Sequence, residues 1–227
     1  DSMVECFGIT RDPETSCYMF VIRLCNENLY QFLKRTRGRL DWRNRIDMLY
    51  EIVNGLKQIH DYGFYHGNLH GGNLLTEMTT NGINIRISDT GLHGPPDRNS
   101  STVYGVLPFI APEVLKGDKY TQASDVYSFG IIMWVMSSCI PPFNQISHDH
   151  DLAALICDGL RPKINENIPD IYSTLMTRCW HQDPKQRPKV AELCNTLSQF
   201  ASGMRDNTSS ISQEFTVAYA HSRGASK

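Results

Sequence analysis

His66-Gly67-Asn68-Leu69-His70-Gly71-Gly72-Asn73-Leu74-Leu75 is the stretch on which the fold turns. Its last residues, Leu74-Leu75, and the run Ile83 to Ile87 flank Asn81-Gly82, a pair that accepts the positive φ angles of a tight two-residue turn. A hairpin is therefore expected there. Upstream, Asp41 is a candidate N-cap, and Ile46, Leu49, Ile52, Val53, Leu56 and Ile59 recur at helical spacing. These predict one long helix ending near Tyr62-Gly63. Further out, Asn28 to Arg35 reads as a short amphipathic helix. Val4 to Ile9 and Cys17 to Leu24 are β-type runs separated by Arg11-Asp12-Pro13-Glu14-Thr15, which predicts a first hairpin. From Thr121 onward the pattern is helical, over 121–136, 149–158, 168–179 and 189–200. Hairpins followed by helices indicate an α+β segregation and not a βαβ alternation. After Phe200 the composition turns to Ser, Gly, Asn and Arg, and 201–227 is expected to be a disordered tail.

The 227 residues, 41% of them hydrophobic, fill one substantial core and are too few for two full domains. A formal net charge of -2 gives no basic field for nucleic acid or an anionic membrane. Seven irregularly spaced cysteines without a CxxC pair favour reduced thiols over a disulfide framework. Asp1-Ser2-Met3 does not open a secretory signal. The longest apolar stretch, Phe129 to Ile140, is interrupted by Gly130, Ser137 and Ser138 and is too short to span a bilayer. The expectation is a soluble cytoplasmic protein. His148, Asp149, His150 and Asp151 could be taken for a metal cluster, but such a run opening an amphipathic helix reads better as a solvated first turn.

The opening stretch is followed by Asp89-Thr90-Gly91, then Ala111-Pro112-Glu113, then Asp125-Val126-Tyr127-Ser128-Phe129-Gly130, and finally Trp180 to Pro188 with Arg187. In this order and spacing the chain resembles the protein kinases over roughly residues 3 to 200, with the flavour of the tyrosine-kinase-like branch of Ser/Thr kinases. The resemblance implies an α+β, protein-kinase-like fold. Residues 1–24 would be a remnant hairpin of the small lobe with the start of the hinge, and 25–200 the mainly helical large lobe. It also implies ATP and Mg²⁺ as cofactors and other proteins as partners.

Carried over position by position, Asn73 and Asp89 match the metal-binding residues, and both offer oxygen donors suited to a hard cation. Taken alone, Asp89 would read as a strand-end turn residue. Ile22 matches the gatekeeper position, Arg23, Leu24 and Cys25 the strip facing adenine, and Leu75 the residue beneath the ring; read without the resemblance, these positions are equally a generic strand-to-helix connection. His66, Glu113, Asp125 and Arg187 match structural residues, His66 by packing and backbone bonding and Glu113 with Arg187 as a buried ion pair. Asn68 stands where the family has its catalytic Asp, and an amide has no carboxylate lone pair for a proton. His70 replaces a lysine, Val106 a threonine, Gly67 the arginine that meets a phosphorylated activation loop, and Thr90 a packing phenylalanine. Ser100, Ser101, Thr102 and Tyr104 remain modifiable hydroxyls of that loop. Nothing before Val4 supplies the glycine-rich cover, the phosphate-contacting lysine or its glutamate partner. The expectation is a catalytically impaired module, a pseudokinase scaffold or an allosteric partner of an active kinase. The alternatives are an ATP-dependent Ser/Thr kinase belonging to a longer chain, and a fragment without function of its own.

Overall fold

The computed structural model describes residues 2–36, 39–80, 82–89 and 104–224. Thr90, Gly91, Ser100, Ser101 and Thr102, and Asn81 of the expected turn, lie outside the described residues. The first hairpin is β1 (Cys6–Arg11) paired antiparallel with β2 (Tyr18–Ile22), with a bulge between Cys6 and Gly8. A second sheet follows the order β3 (Glu27–Asn28), β4 (Leu74–Thr79), β5 (Gly82–Ile87), in register Asn28↔Leu75 and Leu74↔Ile87. Two helices stand between β3 and β4: α1 (Leu29–Thr36) and α2 (Trp42–Asp61). Asp41 caps α2 by accepting from Asn44 N–H at 2.8 Å, as its sequence position predicts.

After the loop come α3 (Pro112–Leu115), α4 (Gln122–Ser138), α5 (His150–Cys157), α6 (Asp170–Cys179), α7 (Val190–Gly203) and α8 (Ser210–Gly224). Helix α4 is buried along its whole length from Ser124 to Met136, which makes it the axis of the core and explains why it carries no polar stripe. Thr121 opens it with a capping box closed by Ser124. Helix α2 packs on β5 and α7, so the long helix read from its apolar spacing is also the one that carries the second sheet.

Two expectations change. Residues 201–203 end α7 and 210–224 form α8, with a turn between them, where a disordered tail was expected. Phe215 is only 3% exposed and packs edge-on against Trp42 at 5.4 Å and Phe200 at 5.9 Å. Glu214 accepts from Ile171 N–H at 2.9 Å, which satisfies the start of α6 where the N-cap Pro169 offers no side chain. Three apolar residues, Ile211, Phe215 and Ala218, were enough to anchor a segment whose composition is otherwise polar. The segment 1–24 is also not all hairpin. Val4 N–H donates to Ile87 O and Ile87 N–H donates to Ser2 O, both at 2.9 Å, so residues 2–4 run beside β5 and belong to the large-lobe sheet.

Among the described residues no helix is long and apolar enough to cross a membrane, and no group of three or more His, Cys, Asp or Glu is placed to hold a metal ion. Asp149 caps α5 by accepting from Asp151 and Leu152 N–H, the role expected of a solvated first turn.

Candidate functional site

The loop between α2 and β4 is held from below by Asp125 near the start of α4. This carboxylate is buried and accepts three hydrogen bonds: from His66 N–H at 2.7 Å, from Gly67 N–H at 2.9 Å and from His60 Nε2 at 2.9 Å. Paired backbone donors are what make a buried carboxylate tolerable. His66 is buried too. Its Nε2 donates to Ser88 O at 2.9 Å and its Nδ1 accepts from Asn68 N–H at 3.2 Å, so the ring is a backbone brace, as its packing role implied.

The Asn73 side chain donates to Asn68 O at 3.0 Å, and Asn73 N–H donates to His70 O at 2.9 Å. Asn73 O in turn accepts from Ser88 N–H at 2.9 Å and Ser88 Oγ at 3.1 Å. These bonds place Asn73 beside the strand end that carries Asp89. Asp89 is exposed and adopts φ 58°, a left-handed conformation uncommon outside glycine. Asn68 is therefore held among Asn73, His66 and Gly105, whose added Cβ would stand 3.3 Å from Asn68 Oδ1.

Gly67 also sits at positive φ, 73°, where any other residue would be strained, and two tyrosine rings border it. A Cβ would meet the Tyr65 ring at 3.4 Å and Tyr120 at 3.7 Å. Tyr120 stacks on Tyr65 at 6.3 Å and on Tyr104 at 5.1 Å, and its hydroxyl donates to Tyr104 O. Burial pushes the Tyr120 phenol up to about 12. Where the resemblance implies an arginine and a phosphorylated loop, this chain places three tyrosine rings.

The scaffold pair is formed. Arg187 donates to both carboxylate oxygens of Glu113, at 2.6 and 2.7 Å, and its side chain is fully shielded from solvent. It also donates to Ala123 O and His181 O, each at 2.9 Å. Tyr127 lies beneath it at 5.3 Å, and Arg161 stands 5.1 Å from the same ring.

The adenine strip is less assembled. Ile22 ends β2 and is half exposed, Leu24 is 93% exposed, and Arg23 is paired with Glu5 at 2.7 Å. Cys25 is partly buried, and Leu75 is half-buried in β4 opposite Asn28. Asn26 N–H donates to Thr76 O at 3.1 Å, which brings the end of the strip alongside Leu75.

His60, Tyr127 and Arg161 were missed from sequence. His60 continues the buried row Ile52, Leu56 at four-residue steps, so a histidine on an apolar stripe was the available signal. Tyr127 and Arg161 carried none.

Comparison with known proteins fits this geometry. The family model described as protein tyrosine and serine/threonine kinase matches residues 1–197. Roco8 of Dictyostelium discoideum, named as a probable serine/threonine-protein kinase, is 34% identical over 183 residues, 76% of this chain and 10% of its own. R818 of Acanthamoeba polyphaga mimivirus, whose name gives it as a serine/threonine-protein kinase/receptor, is 32% identical over 181 residues, again 76% of this chain and 10% of its own. The chain thus spans about a tenth of the length of these relatives. Among solved structures, the AtMLKL3 tetramer determined by cryo-EM is similar at TM-score 0.75 and 27% identity, over 89% of this chain and 37% of that one. With the Asp125-braced loop, the Glu113–Arg187 pair and a family match over residues 1–197, this chain belongs to the protein tyrosine and serine/threonine kinase family.

Proposed function

We propose that this chain is a kinase-like module that holds nucleotide but is impaired in phosphoryl transfer, and that it acts by binding other proteins, as a pseudokinase scaffold or as an allosteric partner of an active kinase. The observation that carries the reading is Asn68. The loop around it is braced by Asp125, His66 and Asn73, so the position that would orient and deprotonate an acceptor hydroxyl is built, and an amide stands there in place of the carboxylate.

The residues present fit ATP with Mg²⁺. The Asn73 amide nitrogen is spent on Asn68 O, which leaves its carbonyl oxygen to face a cation, and Asp89 is an exposed carboxylate without a hydrogen-bond or ion-pair partner among the described residues. Bound Mg²⁺–ATP would supply the phosphoryl group and neutralise its charge. Asn73 and Asp89 would hold the metal, and Cys25 and Leu75 would border the base. A second reading, an ATP-dependent Ser/Thr kinase of reduced rate within a longer chain, is favoured by the names of the curated relatives and by the presence of Asp89. Phosphate transfer by the Asn68 protein against Asn68→Asp separates the two.

A further inference from the structure

Helix α4 braces the loop through Asp125 near its start, and at its other end Ser137 to Ile140 wall a cavity of about 430 Å³ that Lys34 of α1 and Arg45 of α2 also line. At a helical rise of 1.5 Å per residue, Asp125 and Ser138 stand roughly 20 Å apart. The cavity is therefore separate from the loop that carries Asn68. Its volume lies within the range of small-ligand clefts, roughly 300–1,000 Å³.

Two cations and a hydroxyl dominate its lining. Arg45 is only 8% exposed and is fixed in place: its guanidinium donates to Ser137 O at 3.2 Å, meets Cys139 Sγ at 3.7 Å and lies 5.0 Å from the Trp42 ring centre. Lys34 is exposed, and its ammonium has no hydrogen-bond or ion-pair partner among the described residues. Ser138 Oγ makes only long contacts to Ile140, at 3.4 and 3.5 Å, so its hydroxyl is free to donate elsewhere. The surrounding sequence adds to the charge. Residues 34–45 hold Lys34, Arg35, Arg37, Arg39, Arg43 and Arg45 against Asp41 alone, in a chain whose net charge is -2. Asp41 is engaged in capping α2, and Glu27 accepts from Arg35 at 2.8 Å, so neither acid is spent on Lys34. A phosphomonoester brings close to two negative charges and three acceptor oxygens at neutral pH, which matches an ammonium, a guanidinium and a hydroxyl better than a single carboxylate does.

We propose that this cavity binds a phosphomonoester group, carried by a phosphorylated Ser or Thr of a peptide or by a small free phosphate, with Lys34 and Arg45 as its cations and Ser138 as a hydroxyl donor. The site does not depend on nucleotide binding at Asn73 and Asp89.

Amide spectra of the full chain, titrated with a phosphoserine peptide, the same peptide unphosphorylated and inorganic phosphate, test it. The phosphopeptide and phosphate should both shift Ser138, Cys139 and Ile140, and the unphosphorylated peptide should shift none of them. Lys34 lies on the exposed side of α1, away from its buried Leu29, Phe32 and Leu33, so Lys34→Gln should leave the fold intact. It should weaken phosphopeptide binding about tenfold, whereas Lys34→Arg, and Lys185→Gln outside the cavity, should stay within about threefold of the parent. Ser138→Asp, which sets a carboxylate in the cavity wall, should abolish binding. Tighter binding of the phosphopeptide than of phosphate supports a phosphorylated protein as the source, and equal affinities support a free phosphate. No binding of either, equal binding of the unphosphorylated peptide, or undiminished binding in Lys34→Gln overturns the proposal.

Discussion

At the scale of single residues the molecule separates side chains that build the loop from the one that would do chemistry in it. Arg187 belongs to the builders. Its guanidinium is shielded from solvent, bidentate on Glu113 and bonded to two backbone carbonyls. Arg187→Ala would leave the Glu113 carboxylate without its partner, at a cost of roughly 3–5 kcal/mol. Arg178, whose pair with Glu192 is about half exposed, should cost under about 1 kcal/mol on truncation. Urea unfolding of the two variants decides: equal midpoints would mean that the Glu113–Arg187 pair does not tie the lobe together.

His70 gives a prediction in pH. Burial, the largest cause, and the neighbouring His66 lower its pKa below the ordinary histidine value, against a smaller opposing pull from Asp89. The folded state then binds fewer protons than the unfolded chain as pH falls through the ordinary histidine value of 6.5. The His70 contribution to stability is therefore complete above that value and is lost as pH drops toward the folded pKa. His70→Gln should flatten the decline in stability as pH falls below 6.5. An unchanged slope would count against burial of the ring.

Among the elements, α8 is the least expected. Its apolar residues are few, but Phe215 closes over Trp42 and Phe200 while Glu214 caps α6. Phe215→Ala should destabilise by about 3 kcal/mol, near the lower end for burying and then deleting an aromatic ring. Val217→Ala, at an exposed position of the same helix, should change stability by less than about 0.5 kcal/mol. Similar thermal shifts in both would mean that α8 is not docked. This helix also shows where reading the sequence stopped. Helices α2, α4, α6 and α7 were legible because apolar residues recur through each at helical spacing. In α8 a polar composition hid three contact residues. In the loop, the residues matched by motif order fell where the braces are, because Asp125, His66 and Asn73 bond to backbone that the motif itself positions. The His60 bond and the tyrosine stack over Gly67 depend on tertiary approach, which spacing along the chain does not encode.

For the molecule as a whole, protection should be uneven. The β1–β2 hairpin exposes Phe7, Ile9, Tyr18, Phe20 and Ile22, and its strands contact little of the core built around α4. Exposed apolar side chains and bare strand edges both favour association. In native-state hydrogen exchange, amides of Cys6–Ile22 should exchange at least tenfold faster than those of Gln122–Ser138. Equal protection would mean that the hairpin is packed against something the rest of the chain supplies.

The central claim is that a sound scaffold carries a disabled chemical position, and transfer of labelled phosphate to a generic Ser/Thr peptide by the full-length protein tests it most directly. Asn68→Asp changes side-chain volume little and restores a carboxylate in the braced loop. It should raise the rate by about 10²–10⁴, the factor that loss of a general base commonly costs. Asp89→Ala should abolish transfer in either background by removing a metal ligand. If the Asn68 protein already transfers phosphate as fast as Asn68→Asp, the chain is an ordinary kinase and the claim is wrong.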